Sequence, residues 1–525
     1  MNFKFIIVAQ LLCVGVALSQ AKPKAPLNWY LTDPKDSKIF GVGADKAYKL
    51  LEGKSPKEVI VAVIDSGVET DHPDLKDAIW INPGEIPNNA IDDDKNGYID
   101  DVHGWSFLGG PGGDIDAEAS ELARMYRVEK RYFGNRKENE VSLSDNDRFA
   151  NYLKIKQDFE KEKAETEQQF AQISVVSHYM ENVKAESNGV FSKKTNKAYT
   201  PKDDIEKKIK KRLGTILLVY SANELDKQIT GAVKSMVDRI KMNSIDADSV
   251  RKVVVGDDPY DMTDRYYGCN RYEGPDAMHG THVSGIIAAK RGNGIGIDGI
   301  ASNAKIMVLR AVPNGDERDK DIANAIRYAA DNGAKVINMS FGKYYTPNKS
   351  FVDEAIQYAA AKDVLLVHAA GNDAKNKDIE DSYPTRLLNN GIKAKNWLEV
   401  GASSSKSGMK LLAEFSNYGA NTVDVFAPGV DIHSTVPDGK YEDASGTSMA
   451  CPATAGVVAL IRGYFPELSA EEVASVIMLS AEPYNKSIGI PGKKKGEAKG
   501  TMSQVSITGS FVNAANAVSY LLKKN

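Results

Sequence analysis

From Val59 onward, short apolar runs rich in β-branched residues alternate with segments whose apolar positions recur at helical spacing. The candidate strands are "VIVAVID" (59–65), "KIMVLRAV" (305–312), "KVINMSF" (335–341), "VLLVHAA" (364–370), "WLEVGA" (397–402) and "VDVFAP" (423–428). Between them, "DIANAIRYAADNG" and "FVDEAIQYAAAKD" carry helical periodicity and end on a stop signal. This alternation predicts an α/β fold of three layers, a mostly parallel sheet with helices on both faces. In such sheets ligands collect outside the carboxyl ends of the strands, so the chemistry is expected there.

Residues 115–255 differ in character. "FEKEKAETEQQFAQISVVSHYMENVKAE" and "DDIEKKIKKRLGTILLVY" are charged, poor in glycine and helix-prone, with Phe159, Phe170, Ile173, Val176 and Met180 at roughly helical intervals. The segment reads as a helical arm inserted into the α/β domain, which it splits into 59–114 and 256–525, with 22–58 as an N-terminal extension. The cluster "KKIKKR" (207–212) reads first as a solvated helix face and second as a docking face for an acidic protein partner.

At 525 residues the chain exceeds what one core usually supports, so one large domain with an addition, or two domains, is expected. Lys+Arg 67 against Asp+Glu 71 leaves a net charge of -4, with no basic excess to bind nucleic acid or an anionic membrane. The start, "MNFKFIIVAQLLCVGVALSQA", has a lysine, an apolar run and small residues suited to cleavage after Ser19 or Ala21. The 14-residue run from Phe5 to Leu18 falls short of the roughly 20 residues that span a bilayer. Residues 1–21 therefore read as an export signal rather than a membrane span. Its removal leaves Cys269 and Cys451, which can form a single bridge or stay free.

Three short motifs carry the chemistry. "VIDSGVETDHPDL" ends a strand on Asp65, an arrangement that also suits an Asx-turn or helix cap. "AMHGTHVSGIIAAK" (277–290) offers His279 before a small-residue helix start, and His282 three residues on; the pair could share a helix face as metal ligands. In "DASGTSMACPATAG" (443–456) Ser448 lies near a helix N-terminus, whose free N–H groups favour developing negative charge. Pro452 fits best near that first turn.

Taken in order, "DSG", "HGTHVSG" and "GTSMACP" resemble the subtilisin-like serine peptidases, the subtilases, whose triad runs Asp, His, Ser along the chain. "HPDL", "VINMSFG" (336–342), "AAGND" (369–373) and "FSNYG" (415–419) extend the resemblance over 59–114 and 256–525. It implies Ser448 as nucleophile, His279 as general base and acid, and Asp65 as the group orienting the imidazole. It further implies Asn372 as an oxyanion donor, Ser340, Phe341 and Gly342 as a strand that docks substrate, and His282 as a structural neighbour. The chain departs from the family in having "PATAG" after the serine and an unusually long arm between aspartate and histidine. Only 44 residues separate Ala21 from Asp65, near the roughly 40-residue floor for a folded pro-domain.

A fourth motif stands apart. In "AIDDDKNGYIDDVHGW" (90–105), Asp92, Asp94 and Asn96 alternate before Gly97, with Asp100 following and Tyr98 able to offer a carbonyl. The pattern is the start of an EF-hand-like oxygen cage, without its terminal glutamate, and implies calcium as a structural ion. The expected whole is a secreted or periplasmic bacterial serine endopeptidase that hydrolyses polypeptides. The alternative is a catalytically silent relative that binds polypeptide.

Overall fold

The computed structural model describes residues 25–218, 221–493 and 498–524, so the expected export signal lies outside the described residues. Two compact units form: Ala25–Asp116 with Asp248–Asn525, and Ala117–Ala247.

The first unit is built on a nine-stranded sheet: β1 (Val59–Asp65), β2 (Gly104–Ser106), β3 (Ala304–Arg310), β4 (Val336–Met339), β5 (Leu365–Ala369), β6 (Trp397–Ser403), β7 (Val425–Pro428), β8 (Glu482–Pro483) and β9 (Ser510–Phe511). Their spatial order is β8-β9-β7-β6-β5-β4-β1-β3-β2. All neighbours pair in parallel except β8 with β9. Chain order reverses at β1, which lies between β4 and β3, and this reversal opens the crevice at the carboxyl edge. The central strands are mostly apolar and almost wholly buried, as strands covered on both faces must be, with Asp65, Asn338 and His368 as polar members and Ile60 half-buried.

The six expected strands form with small shifts at their ends. β4 stops at Met339, because beyond it Ser340 turns both its carbonyl and its hydroxyl to Ser448. β3 stops at Arg310, and the next two N–H groups, of Ala311 and Val312, donate to the Asp65 carbonyl. Strands β2, β8 and β9 are two or three residues long, too short to show a period in sequence. The unit's helices beyond residue 277 are, in chain order, α1 (Met278–Ala288), α2 (Asp319–Asp331), α3 (Lys349–Ala361), α4 (Thr447–Tyr464), α5 (Ala470–Ser480) and α6 (Ala514–Lys524). Residues 25–58 belong to this unit: Trp29, Tyr30 and Leu31 are buried, and the Tyr30 hydroxyl donates to the Asp298 carbonyl.

A buried ionic network ties the segment before α1 to α2. The Arg251 guanidinium, fully buried, donates to Asp257 (2.8 and 3.2 Å) and Asp321 (2.8 and 2.7 Å). Lys320 Nζ joins Asp257 at 2.9 Å, and the Tyr267 hydroxyl joins Asp321 at 2.6 Å.

The second unit is helical, dominated by Asn146–Ala185, a helix of 40 residues. Ile173 and Met180 are buried in a cluster with Leu213, Leu225, Ile229 and Met236, against which Phe170 and Val176 pack. Phe159 instead packs on a separate small cluster with Ala119, Ala123 and Met242. Ser192, Asp203 and Ser221 cap the helices that follow, each accepting from the backbone N–H three residues on.

Removing Arg251 from this dry network leaves Asp321 without its counter-charge and Asp257 with Lys320 alone. Arg251→Ala is expected to cost about 3–5 kcal/mol of unfolding free energy in urea titration, since Asp257 and Asp321 lose their shared counter-charge. A loss under about 1 kcal/mol would show the network to be solvated.

Candidate active site

Asp65 is the last residue of β1, with its side chain 2% exposed. Its Oδ1 accepts from the Ser66 N–H at 2.8 Å and pairs with His279 Nδ1 at 2.7 Å. His279 is the second residue of α1, and the close approach of α1 to β1 depends on the residue after it. A Cβ built on Gly280 would lie 2.2 Å from the Gly67 carbonyl oxygen. Thr281 fastens the same junction, its hydroxyl accepting from the Glu69 N–H at 2.9 Å.

Burial disfavours the charged form of His279, but the Asp65 carboxylate outweighs it, and the net shift is upward from the ordinary imidazole value. His282, one turn on, is held neutral: burial and the nearby His279 drive it down to about 3. Its Nε2 lies 3.1 Å from the carbonyls of Ile432 and Glu442, so it braces the hairpin Ile432–Val436/Lys440–Ala444 against α1.

Ser448 is the second residue of α4, behind Gly446 as N-cap. Pro452 sits four residues on, inside the helix. Proline has no N–H, so the Ser448 carbonyl loses its intrahelical partner. Ser340 replaces it: its hydroxyl donates to that carbonyl at 3.1 Å, while Ser448 Oγ donates to the Ser340 carbonyl at 3.1 Å. Among the described residues His279 Nε2 has no hydrogen bond, and the Ser448 hydroxyl bonds to Ser340 rather than to His279. Asn372 follows β5, and its Oδ1 accepts from Thr447 N (2.8 Å) and Thr447 Oγ1 (3.0 Å). This anchoring leaves the Nδ2 end of the amide as an uncommitted donor beside the start of α4.

Phe341 and Gly342 continue from Ser340, and Lys343 exchanges backbone hydrogen bonds with Tyr383 at 3.0 and 2.8 Å. Cys451 is a buried free thiol donating to Val367 O and Asn338 Oδ1, and Cys269 is likewise free.

The acidic loop regroups the expected ligands. Oxygens of Asp92, Asp94 and Glu85 lie within 4.8 Å of one another. Glu85, seven residues before Asp92, carries no part of the alternating motif and was missed in sequence. Asp100 turns elsewhere, accepting from the N–H groups of Asn89 (3.2 Å) and Ala90 (2.9 Å). Asn96 bonds through Nδ2 to Asp94 and Asp101, and through Oδ1 to the Tyr98 N–H. The Tyr98 ring is buried, with its hydroxyl on the Arg265 carbonyl. Burial, opposed in part by the N–H groups of Asp94 and Asp93 and reinforced by Asp101 and Asp94, raises Glu85 above the usual carboxylate range.

Residues 56–506 match the subtilase family. The chain belongs to that family. It is 43% identical over 213 residues to a "Thermophilic serine proteinase" of Bacillus sp. (strain AK1), which covers 40% of this chain and 47% of that one. It is 41% identical over 184 residues to the "Thermitase" of Thermoactinomyces vulgaris, covering 35% and 60%. With the "Cell wall-associated protease" of Bacillus subtilis (strain 168) it shares 39% identity over 223 residues, covering 42% and 23%. In each case the match spans less than two thirds of the relative's length. Of these relatives, the first is named as a serine proteinase and the last as a protease.

The Asp65–His279 pair has a titration signature. Because the folded imidazole binds its proton more tightly, the pair stabilises the fold below the ordinary value of 6.5, and that contribution disappears as pH rises through the raised folded value. In Asp65→Asn, burial is opposed only by the weaker effect of Asp276. The His279 titration followed by NMR is then expected below 6.5, and an unchanged titration would remove Asp65 as its cause.

Proposed function

We propose that this chain is an exported serine endopeptidase that hydrolyses peptide bonds through an acyl-enzyme. The observation that carries the reading is the 2.7 Å bond between Asp65 and His279 at the carboxyl edge of the sheet, with Ser448 in the first turn of α4. Substrate docks as an added strand along Ser340, Phe341 and Gly342. On docking, Ser448 Oγ leaves the Ser340 carbonyl and turns to His279 Nε2; such bonds are commonly longer or misaligned before substrate binds. His279 takes the hydroxyl proton as Oγ attacks the carbonyl carbon. Asp65 holds the Nδ1–H and stabilises the imidazolium, the form its charge already favours. The oxyanion is met by the Asn372 Nδ2–H and the Ser448 N–H in the first turn of α4. His279 then protonates the leaving amine, and a water, deprotonated by the same imidazole, releases the acid.

The second reading, a silent relative that binds polypeptide, draws on the engagement of Ser448 with Ser340. A fluorophosphonate probe separates the two. Labelling is expected in the wild type and absent in Ser448→Ala; an unlabelled, folded wild type would establish the silent reading. Asn372→Ala is expected to label slowly and to lose roughly 10²–10³ in kcat.

Export rests on residues 1–21, and no helix among the described residues is long and apolar enough to cross a membrane. A secreted or periplasmic location follows from that reading. Calcium fits the hard oxygen donors of Glu85, Asp92 and Asp94, whose mutual repulsion a divalent cation would relieve. It would stiffen the loop without entering the reaction. Chelator is expected to lower the melting temperature of the wild type and leave Asp92→Asn/Asp94→Asn unchanged; equal sensitivity in both would remove the site.

A further inference from the structure

A buried polar cluster beside the Ser340–Gly342 segment has no part in the reaction above. His368 on β5 and Glu399 on β6 are cross-strand neighbours, 1% and 3% exposed. The Glu399 carboxylate accepts from Lys377 Nζ at 2.5 Å, Trp397 Nε1 at 2.9 Å and His368 Nδ1 at 3.1 Å. Burial alone would raise its pKa, but the charge of Lys377 and the hydrogen bond from His368 overcome that and hold it at about 2. An ionised carboxylate only accepts, so Nδ1 is the nitrogen that carries the hydrogen towards Glu399, and in the Nδ1–H tautomer Nε2 presents a lone pair. Among the described residues Nε2 has no hydrogen-bond partner. A polar atom this deeply buried is almost always paired, and an orphan calls for a ligand or a water.

The surroundings of Nε2 indicate which. A Cβ built on Gly342 would come within 3.7 Å of His368 Nε2 and 3.2 Å of the Tyr383 carbonyl oxygen, so the glycine keeps side-chain atoms of this segment away from Nε2. Phe341 and Trp397 bound the imidazole, with ring centroids 6.4 and 5.2 Å away. Ser382, next to Tyr383, is also buried with its hydroxyl unpartnered. The geometry points to His368 as a specificity-determining residue whose Nε2 accepts a hydrogen bond from a substrate side chain carrying a neutral N–H or O–H donor, such as tyrosine or glutamine. Glu399 and Lys377 are positioning residues: they fix the tautomer and the ring. The inference rests on substrate docking along Ser340–Gly342. A site built to pair a substrate donor rejects the analogue that lacks one, because the buried acceptor is then left alone.

Peptide pairs that differ only as Tyr against Phe, or Gln against Met, scanned through the positions flanking the scissile bond, test this. At one position the wild-type kcat/KM is expected to favour the donor-bearing member by about tenfold or more. His368→Leu should narrow that ratio to about twofold, and His368→Gln, which keeps an acceptor, should retain part of it. Near-UV circular dichroism reports the fold of each variant, and the wild-type ratios decide the matter even where His368→Leu does not fold. A protein that labels at Ser448 and cleaves, yet treats both members of every pair alike, overturns this subsite and leaves the reaction standing. A protein that neither labels nor cleaves overturns the reaction and the subsite together.

Discussion

Parallel pairing is the constraint on which the rest of this molecule depends. Parallel strands all finish at one edge, so residues that follow different strands meet there whatever their separation in the chain. Asp65 closes β1, Ser340 follows β4 and Asn372 follows β5, and these three strands are neighbours in the sheet. Helices α1 and α4 then need to deliver only one residue each, His279 and Ser448, from their first turns.

Close approach at that edge is secured by what is missing as much as by what is present. Gly280 has no Cβ to strike the Gly67 carbonyl, and Pro452 has no N–H to occupy the Ser448 carbonyl. The second absence would leave a buried acceptor unpaired, a cost of roughly 1–3 kcal/mol, were it not for the Ser340 hydroxyl. The first turn of α4 is thus held by a strand residue instead of by its own helix. The segment proposed to dock substrate and the helix proposed to carry the nucleophile are locked to each other by two reciprocal hydrogen bonds.

Charge inside the fold is handled by saturation. Arg251 faces two carboxylates, and Glu399 faces Lys377, His368 and Trp397. Each of these two charges has several partners, the condition under which attraction in a dry interior offsets desolvation. The acidic loop is the contrast, with Glu85, Asp92 and Asp94 brought together and no basic side chain among those three.

The sequence by itself determined the elements and the chemically distinctive residues. Six strands and helices α2 and α3 were legible because β-branched runs and helical spacing are local properties. Asp65, His279 and Ser448 were legible because small, hydroxyl and imidazole residues cluster in motifs that a known family shares. Tertiary structure alone decided the pairings: that Asp65 meets His279 across 214 residues, that Glu85 joins Asp92 and Asp94 while Asp100 turns to Asn89 and Ala90, and that Ser448 bonds to Ser340. The glutamate of "WLEVGA" and the histidine of "VLLVHAA" were visible as polar residues in apolar strands, yet their meeting depends on the register of β5 against β6. Periodicity encodes which face a residue takes, whereas its partner is set by the packing of elements far apart in the chain.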